Sequence, residues 1–237
     1  MLQVYVENHK TRDPSDFVAL VRADGQEPVV MTDHSDHYLR RGKGQGQGCF
    51  ANYMRILKDA SVQPQPWAVV LQDDVSIPPG LFARMAYILE RSPGGAVAFY
   101  VPQNKLYTEA QQQGKHVVEA YWNYWIQAMA WKKTTAAILH GWGEQYCVPE
   151  EIGDDSFLTR ATSRLQMPVR TVLPSLVQHL GYKNSLLGTS GKVGRYERTS
   201  AVYDPTFDPA TVDWEAAFAS PLRDKTRRLN TDGLRGV

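Results

Sequence analysis

Two pairs of adjacent carboxylates and one histidine are the residues of this sequence best suited to chemistry. The pairs are Asp73-Asp74 and Asp154-Asp155, and His179 follows the second pair. Together these groups can hold a divalent cation and leave one carboxylate free as a base, because carboxylate oxygens and neutral imidazole are ligands of Mg²⁺ and Mn²⁺. This set is the minimum needed to move a group off a diphosphate.

The first pair ends an apolar run, W-A-V-V-L-Q-D-D-V at 67–75, that is typical of a buried strand. Ligands commonly bind at the carboxyl ends of strands in α/β sheets. Two acidic side chains beside a buried strand are costly to desolvate unless a cation neutralises them, and a hard divalent ion that bridges to phosphate oxygens supplies that charge. Asp73 and Asp74 would equally suit an ordinary strand-to-helix loop, with one of them capping the helix.

The second pair and the histidine also have two interpretations each. Asp154 and Asp155 would fit the first turn of a helix, where the helix dipole favours acidic residues. Alternatively, one of them is a general base, which must reach an acceptor hydroxyl. His179 follows the strand-like run 175–178, and is either an ordinary surface or core histidine or a ligand of Mn²⁺ or another borderline metal.

The elements that must position these groups follow a strand–helix–strand rhythm. Residues 2–6 alternate like a strand, 13–16 resemble a helix start with Pro14 in the first turn, and 28–31 form a second short strand. This rhythm predicts an α/β fold. Four further helices are expected: after the glycine-rich basic loop 42–48, from Pro78 onward, from Thr134 to a stop at Gly141, and over 155–165. Two further strands are expected at 96–101 and 169–173. The polar segment 103–116 is expected to be an exposed loop.

Composition restricts the class of protein. The chain has 237 residues, 43% of them hydrophobic, and a net charge of +1, which suits one large domain with no overall field for nucleic acid or membrane. No apolar stretch approaches the roughly 18–20 residues of a membrane span, and the N-terminus lacks the features of a signal peptide. The two cysteines, Cys49 and Cys147, have no metal-ligand spacing. We therefore expect a cytoplasmic protein without a membrane span.

The order of four segments resembles that of the metal-dependent GT-A-fold glycosyltransferases. The segments are 48–55, 67–75, 153–155 and 174–181. They are most similar to the lipopolysaccharide and collagen-galactosyltransferase-like family, which carries a G-C-x-x-S-H helix, an L-E-D-D-V strand end of the D-x-D type and a late P-S-x-x-x-H-x-G segment. The resemblance implies a single GT-A-type domain with a central, mostly parallel (mixed) sheet flanked by helices.

By this resemblance residues 1–187 would be the catalytic domain, and 188–237 a C-terminal loop and tail that partly closes over the donor. Asp74 and His179 would ligate Mn²⁺ or Mg²⁺, and Asp155 would be the base, with Asp154 as the alternative. The residues that would bind the nucleotide-sugar donor are Asn8, Lys10, Arg12, Asp73, Lys192 and Arg195.

The sequence departs from the family pattern at two places. Gln72 stands where the family has the Glu of L-E-D-D-V, so the first acidic position of that motif is neutral here. Asn52 and Tyr53 stand where the family has Ser-His, which puts any donor contact from that helix in question.

The implied activity is transfer of a hexose from a nucleotide sugar, a UDP-hexose by family habit, to an acceptor hydroxyl with inversion. The acceptor expected from the family is a saccharide. A hydroxymethylated base in DNA is an alternative, since the basic stretches 40–43, 192–198 and 223–228 could contact phosphates and the aromatic block 121–125 could stack on an everted base. A metal-dependent phosphoesterase and a non-catalytic sugar-binding module are further alternatives.

Overall fold

The computed structural model describes residues 2–35, 47–102, 105–121, 126–147, 152–180, 200 and 202–224, with the backbone alone at 47 and 48. Within these ranges the strands are β1 (Leu2–His9), β2 (Val29–Asp33), β3 (Trp67–Gln72), β4 (Ala96–Ala98), β5 (Val117–Ala120), β6 (Ala128–Lys132), β7 (Val169–Val172) and β8 (Leu222–Arg223). The helices are α1 (Ser15–Ala23), α2 (Gln47–Ala60), α3 (Leu81–Arg91), α4 (Lys105–Gln112), α5 (Lys133–Tyr146), α6 (Asp154–Arg164) and α7 (Trp214–Ala219).

All of these strands belong to one mixed sheet of order β2-β1-β3-β6-β4-β7-β5-β8. Strand β1 pairs in parallel with both β2 and β3, and β6 runs antiparallel between β3 and β4. Strand β7 is parallel to β4 and antiparallel to β5, and β8 is parallel to β5. The predicted α/β fold with a mixed central sheet is therefore confirmed.

Apolar side chains cover both faces of the sheet. Along β1, Val4 and Val6 contribute to one hydrophobic cluster, which also holds the buried face of α3, whereas Tyr5 belongs to a second cluster with α2, α5 and α6. Strand β3 shows the same alternation, since Leu71 lies in the first cluster and Val70 in the second. Because side chains of a strand point alternately to its two faces, residues of one parity share a face.

The segment expected to be an exposed loop at 103–116 instead contains helix α4. Tyr107 and Ala110 are buried at a spacing of three residues and pack against Val101 and Val118. The prediction was wrong because the apolar face of α4 is short and three glutamines, at 111–113, directly follow it, so that the polar composition obscures the helical spacing.

Helix α5 also differs from expectation, because it continues through Gly141 to Tyr146. The glycine that matters structurally is Gly143: a Cβ there would lie 2.6 Å from Met54 Sδ, so its absence allows α5 to approach α2 closely. Gly141, by contrast, has open space around it. A glycine inside a helix weakens it without ending it when packing compensates.

The described residues after position 200 pack on the same core. Trp214 and Phe218 on α7 are buried in the first hydrophobic cluster, and β8 extends the sheet beside β5. Residues 188–199, expected to close over the donor, lie outside the described ranges. Within those ranges, no helix has the length and apolar character that a membrane crossing requires.

Candidate active site

The ends of β3 and of the segment after β7 meet in a short antiparallel pairing. Leu180 donates its backbone N–H to the Asp74 carbonyl at 2.8 Å, and Ser76 donates to the Gln178 carbonyl at 2.7 Å. As a result His179 Nε2 lies 3.4 Å from Asp74 Oδ2. The structure therefore brings together the two residues expected to share a metal ion, although more than a hundred positions separate them.

Arg12, in the loop after β1, forms ion pairs with the first acidic pair. Its Nη1 hydrogen bonds to Asp73 Oδ1 and lies 3.5 Å from Asp74 Oδ2. Its side chain is 19% exposed, compared with 8% for Asp73 and 7% for Asp74, so it is the most accessible of the three. Burial raises the pKa of Asp73 to about 6, and the Arg12 charge opposes that rise.

The other two residues of this region that were expected to bind the nucleotide sugar, Asn8 and Lys10, differ in their exposure. Asn8 is buried at the end of β1, and its Oδ1 has no hydrogen-bond partner. Lys10 is exposed, and its backbone N–H donates to the Asp33 carbonyl at 2.9 Å. Asn8 and Arg12 are therefore close to each other, with Asn8 Nδ2 3.5 Å from the Arg12 carbonyl, while Lys10 lies at the surface.

The second acidic pair begins helix α6, as expected for a first helical turn. Asp154 is buried and its Oδ1 accepts the Asp155 backbone N–H at 2.7 Å, whereas Asp155 is only half-buried. Burial, reinforced by the neighbouring Asp155 charge, raises the pKa of Asp154 to about 8. Because a protonated carboxyl cannot accept a proton, this environment favours Asp155 over Asp154 as a base.

Glu7 is a candidate site residue that sequence reasoning missed. It is 7% exposed, and neither carboxylate oxygen has a hydrogen-bond partner of normal geometry. Burial raises its pKa well above the usual range, and the charges of Asp154 and Asp73 raise it further. Glu7 is therefore close enough to one member of each acidic pair for their charges to interact. The available signal was an acidic residue inside the apolar alternation of β1.

Buried oxygens without a partner are concentrated at this edge of the sheet. Among the described residues, those of Glu7, Asn8, Asp74 and Gln127 lie at the carboxyl ends of β1 and β3 and just before β6, while Gln65 and Ser92 carry the others elsewhere. The oxygens at this edge are all carboxylate or amide acceptors, and a buried acceptor without a donor is costly. The edge is therefore suited to a ligand that brings hydroxyl or N–H donors, or to a cation.

A divalent cation fits Asp74 and His179. Two ligands at right angles around such an ion, each about 2.1 Å from it, are about 3 Å apart, close to the observed separation. Asp74 Oδ1 has no partner and is available as well. No group of three or more His, Cys, Asp or Glu side chains converges on one point in the described part of the chain, so the remaining ligands would come from a bound phosphate or from water.

Several other expected contacts are internal or lie outside the described residues. Asn52 Nδ2 donates to the Met31 carbonyl at 2.9 Å, and Trp131 Nε1 donates to Tyr53 Oη at 2.8 Å, so this part of α2 stabilises the fold. Arg223 Nε lies 3.4 Å from Glu119 Oε1, at the side of the sheet formed by β5 and β8 and away from β1 and β3. The positions outside the described ranges are Lys192, Arg195, the glycine-rich stretch 42–46 and the aromatic residues 122–125.

The raised pKa of Asp154 predicts how stability depends on pH. Between the unfolded-state pKa near 4 and the folded-state value of about 8, the folded protein binds more protons, so the free energy of unfolding falls as pH rises. Asp154→Asn removes this contribution, and its stability relative to the native chain should improve with pH by up to about 1.4 kcal/mol per pH unit. Urea unfolding at several pH values measures the difference, and a difference independent of pH would contradict the assignment.

Comparison with known proteins provides no further assignment. No protein-family model matches the sequence, and no curated protein has significant sequence similarity to it.

Proposed function

We propose that this chain is a metal-dependent glycosyltransferase of the GT-A type, which moves a hexose from a nucleotide sugar to an acceptor hydroxyl with inversion. The expected donor is a UDP-hexose and the expected acceptor a saccharide. One observation carries the proposal: Asp74 and His179 lie 3.4 Å apart at the carboxyl edge of the sheet, beside Arg12 and Asp73.

The charges at this edge suit a donor diphosphate with a cation. Asp74 and His179 would hold Mn²⁺ or Mg²⁺, which when bound neutralises the charge of the departing nucleoside diphosphate. Arg12 can pair with phosphate oxygens through a planar fork of donors, and it is the accessible member of the group. Asn8 and Asp73, beside Arg12, would bind the nucleoside part of the donor.

The second acidic pair would supply the general base. Asp155, half-buried at the first turn of α6, would take the proton of the acceptor hydroxyl as that hydroxyl attacks the anomeric carbon. A single displacement from the face opposite the leaving group inverts the configuration and needs no covalent enzyme intermediate. The buried Asp154, kept protonated by its surroundings, would leave Asp155 as the only base of the pair.

A donor-by-acceptor screen with mass spectrometric detection tests the proposal. The chain is incubated with Mn²⁺ and a panel of nucleotide sugars, with saccharides and hydroxymethylated DNA as acceptors. One added hexose on a saccharide is the expected result, and an addition to DNA would change the acceptor class. Cleavage of simple phosphodiesters would indicate a phosphoesterase, and donor binding without transfer or slow UDP release would indicate a binding module.

A further inference from the structure

Glu7 is part of a polar row across three adjacent strands. In the β1–β3 register Glu7 lies directly opposite Gln72, and the Gln72 backbone N–H donates to the Gln127 carbonyl at 3.0 Å, which places Gln127 next along the row. By strand alternation these side chains share a face with Tyr5 and Val70, the face covered by α2 and α6. The row therefore separates the second hydrophobic cluster from the carboxyl edge of the sheet.

The other buried glutamate of the described residues shows what is unusual about Glu7. Glu119 is also 7% exposed, but its carboxylate lies 3.0 Å from Arg170 Nη2 and 3.4 Å from Arg223 Nε. Within the described ranges Glu7 has no ion pair, and its charged neighbours Asp154 and Asp73 carry the same sign. An acidic side chain buried in this way destabilises the fold, because no cation among the described residues compensates for its desolvation and the nearby side-chain amides of Gln72 and Asn52 make no hydrogen bond of normal geometry to it.

We propose that Glu7 binds a hydroxyl group of the hexose, and that it supplies from β1 the carboxyl group that the L-E-D-D-V type of motif carries at the position of Gln72. The two positions are direct cross-strand neighbours, so a carboxyl on either one reaches the same part of the edge. The inference depends on the proposed glycosyltransferase function and extends it by identifying a residue that recognises the sugar.

The chemistry of the surroundings favours a sugar hydroxyl over the other groups of a nucleotide sugar. A phosphate needs donors and positive charge, whereas the unpartnered atoms here are the acceptor oxygens of Glu7 and Gln127. A hydroxyl can both donate and accept, so it matches a carboxyl in either protonation state. Glu7 is also close to Asp154, whose neighbour Asp155 is the proposed base, and the hexose must lie beside that base.

Glu7→Leu and Glu119→Leu form a matched pair of variants. Binding of UDP and of UDP-hexoses (UDP-glucose and UDP-galactose) is measured by calorimetry with Mn²⁺ present, and stability by urea unfolding. Glu7→Leu should lower the affinity for the UDP-hexose that the native chain binds by about tenfold or more, without affecting UDP, and should leave stability equal or higher. Glu119→Leu should keep the binding but lose stability, because it leaves Arg170 without its partner.

The double variant Glu7→Leu/Gln72→Glu returns a carboxyl to the same edge and should recover part of the lost affinity. Equal affinity of Glu7→Leu and the native chain for a UDP-hexose would overturn the inference while leaving the glycosyltransferase proposal intact. A loss of stability in Glu7→Leu comparable to that of Glu119→Leu would assign Glu7 a structural role and would also overturn it. If the native chain binds no nucleotide sugar, the proposed function fails and this inference fails with it.

Discussion

Asp155→Asn is expected to reduce sugar transfer by about 10²–10⁴-fold while the affinity for the donor stays unchanged. The amide keeps the size of the carboxylate but cannot accept a proton, so the attacking hydroxyl would remain neutral. Asp155 is half-buried at the start of α6, whereas Asp154 is buried with its pKa raised to about 8. Transfer rates under single-turnover conditions, with donor affinity measured separately, test this expectation.

Asp154→Asn is the natural control for that experiment, since the substitution resembles the protonated form that its surroundings already favour. It should retain far more transfer activity than Asp155→Asn. If Asp154→Asn were the inactive variant, the two roles would be exchanged. If Asp155→Asn instead lost donor binding, Asp155 would be a structural or donor-binding residue and not the base.

Asp74→Asn and His179→Gln are each expected to weaken Mn²⁺ binding in the presence of UDP by about 100-fold, because each removes one of the two proposed protein ligands. The effect should appear as a shift of the Mn²⁺ titration, observed directly by calorimetry or by electron paramagnetic resonance, independently of any transfer activity. Both side chains are buried, so the stability of each variant must be measured alongside.

His116→Gln is a suitable control for the histidine, because His116 directly precedes β5, which is four strands away from β3 in the sheet. Its ring stacks on Phe207 and its Nδ1 lies 3.0 Å from the Leu173 carbonyl. This variant should leave the Mn²⁺ titration unchanged. An unchanged titration in folded His179→Gln would remove His179 from the metal site, and the same result for Asp74→Asn would remove the proposed metal site altogether.

The sequence was a good guide to the individual elements near the site. The strand ending at Gln72, the helix after the glycine-rich loop and the helix beginning at the second acidic pair all occur where their patterns predict them. Each of these predictions depends on spacing within one segment: a short apolar run, or apolar residues three and four positions apart. Where the local pattern was weak, as in α4, the prediction failed.

Proximity within the site was predictable only in part. The proximity of Asp74 and His179 was expected from the order of motifs, and the structure places the two side chains close together. Glu7 was overlooked because a single acidic residue in an apolar strand carries no motif. It became a candidate only when its burial, its lack of a hydrogen bond of normal geometry and its position opposite Gln72 were known.

The amino-acid sequence by itself determined which segments form strands and helices around the site, because alternation and helical periodicity are properties of neighbouring residues. The tertiary structure alone decided which side chains share the carboxyl edge of the sheet. The register of β1 on β3 sets Glu7 against Gln72, and the pairing beside Ser76 and Gln178 sets His179 against Asp74. Such contacts join residues far apart in the chain, and they depend on the packing of the whole sheet, since a shift of one residue would turn each side chain to the other face.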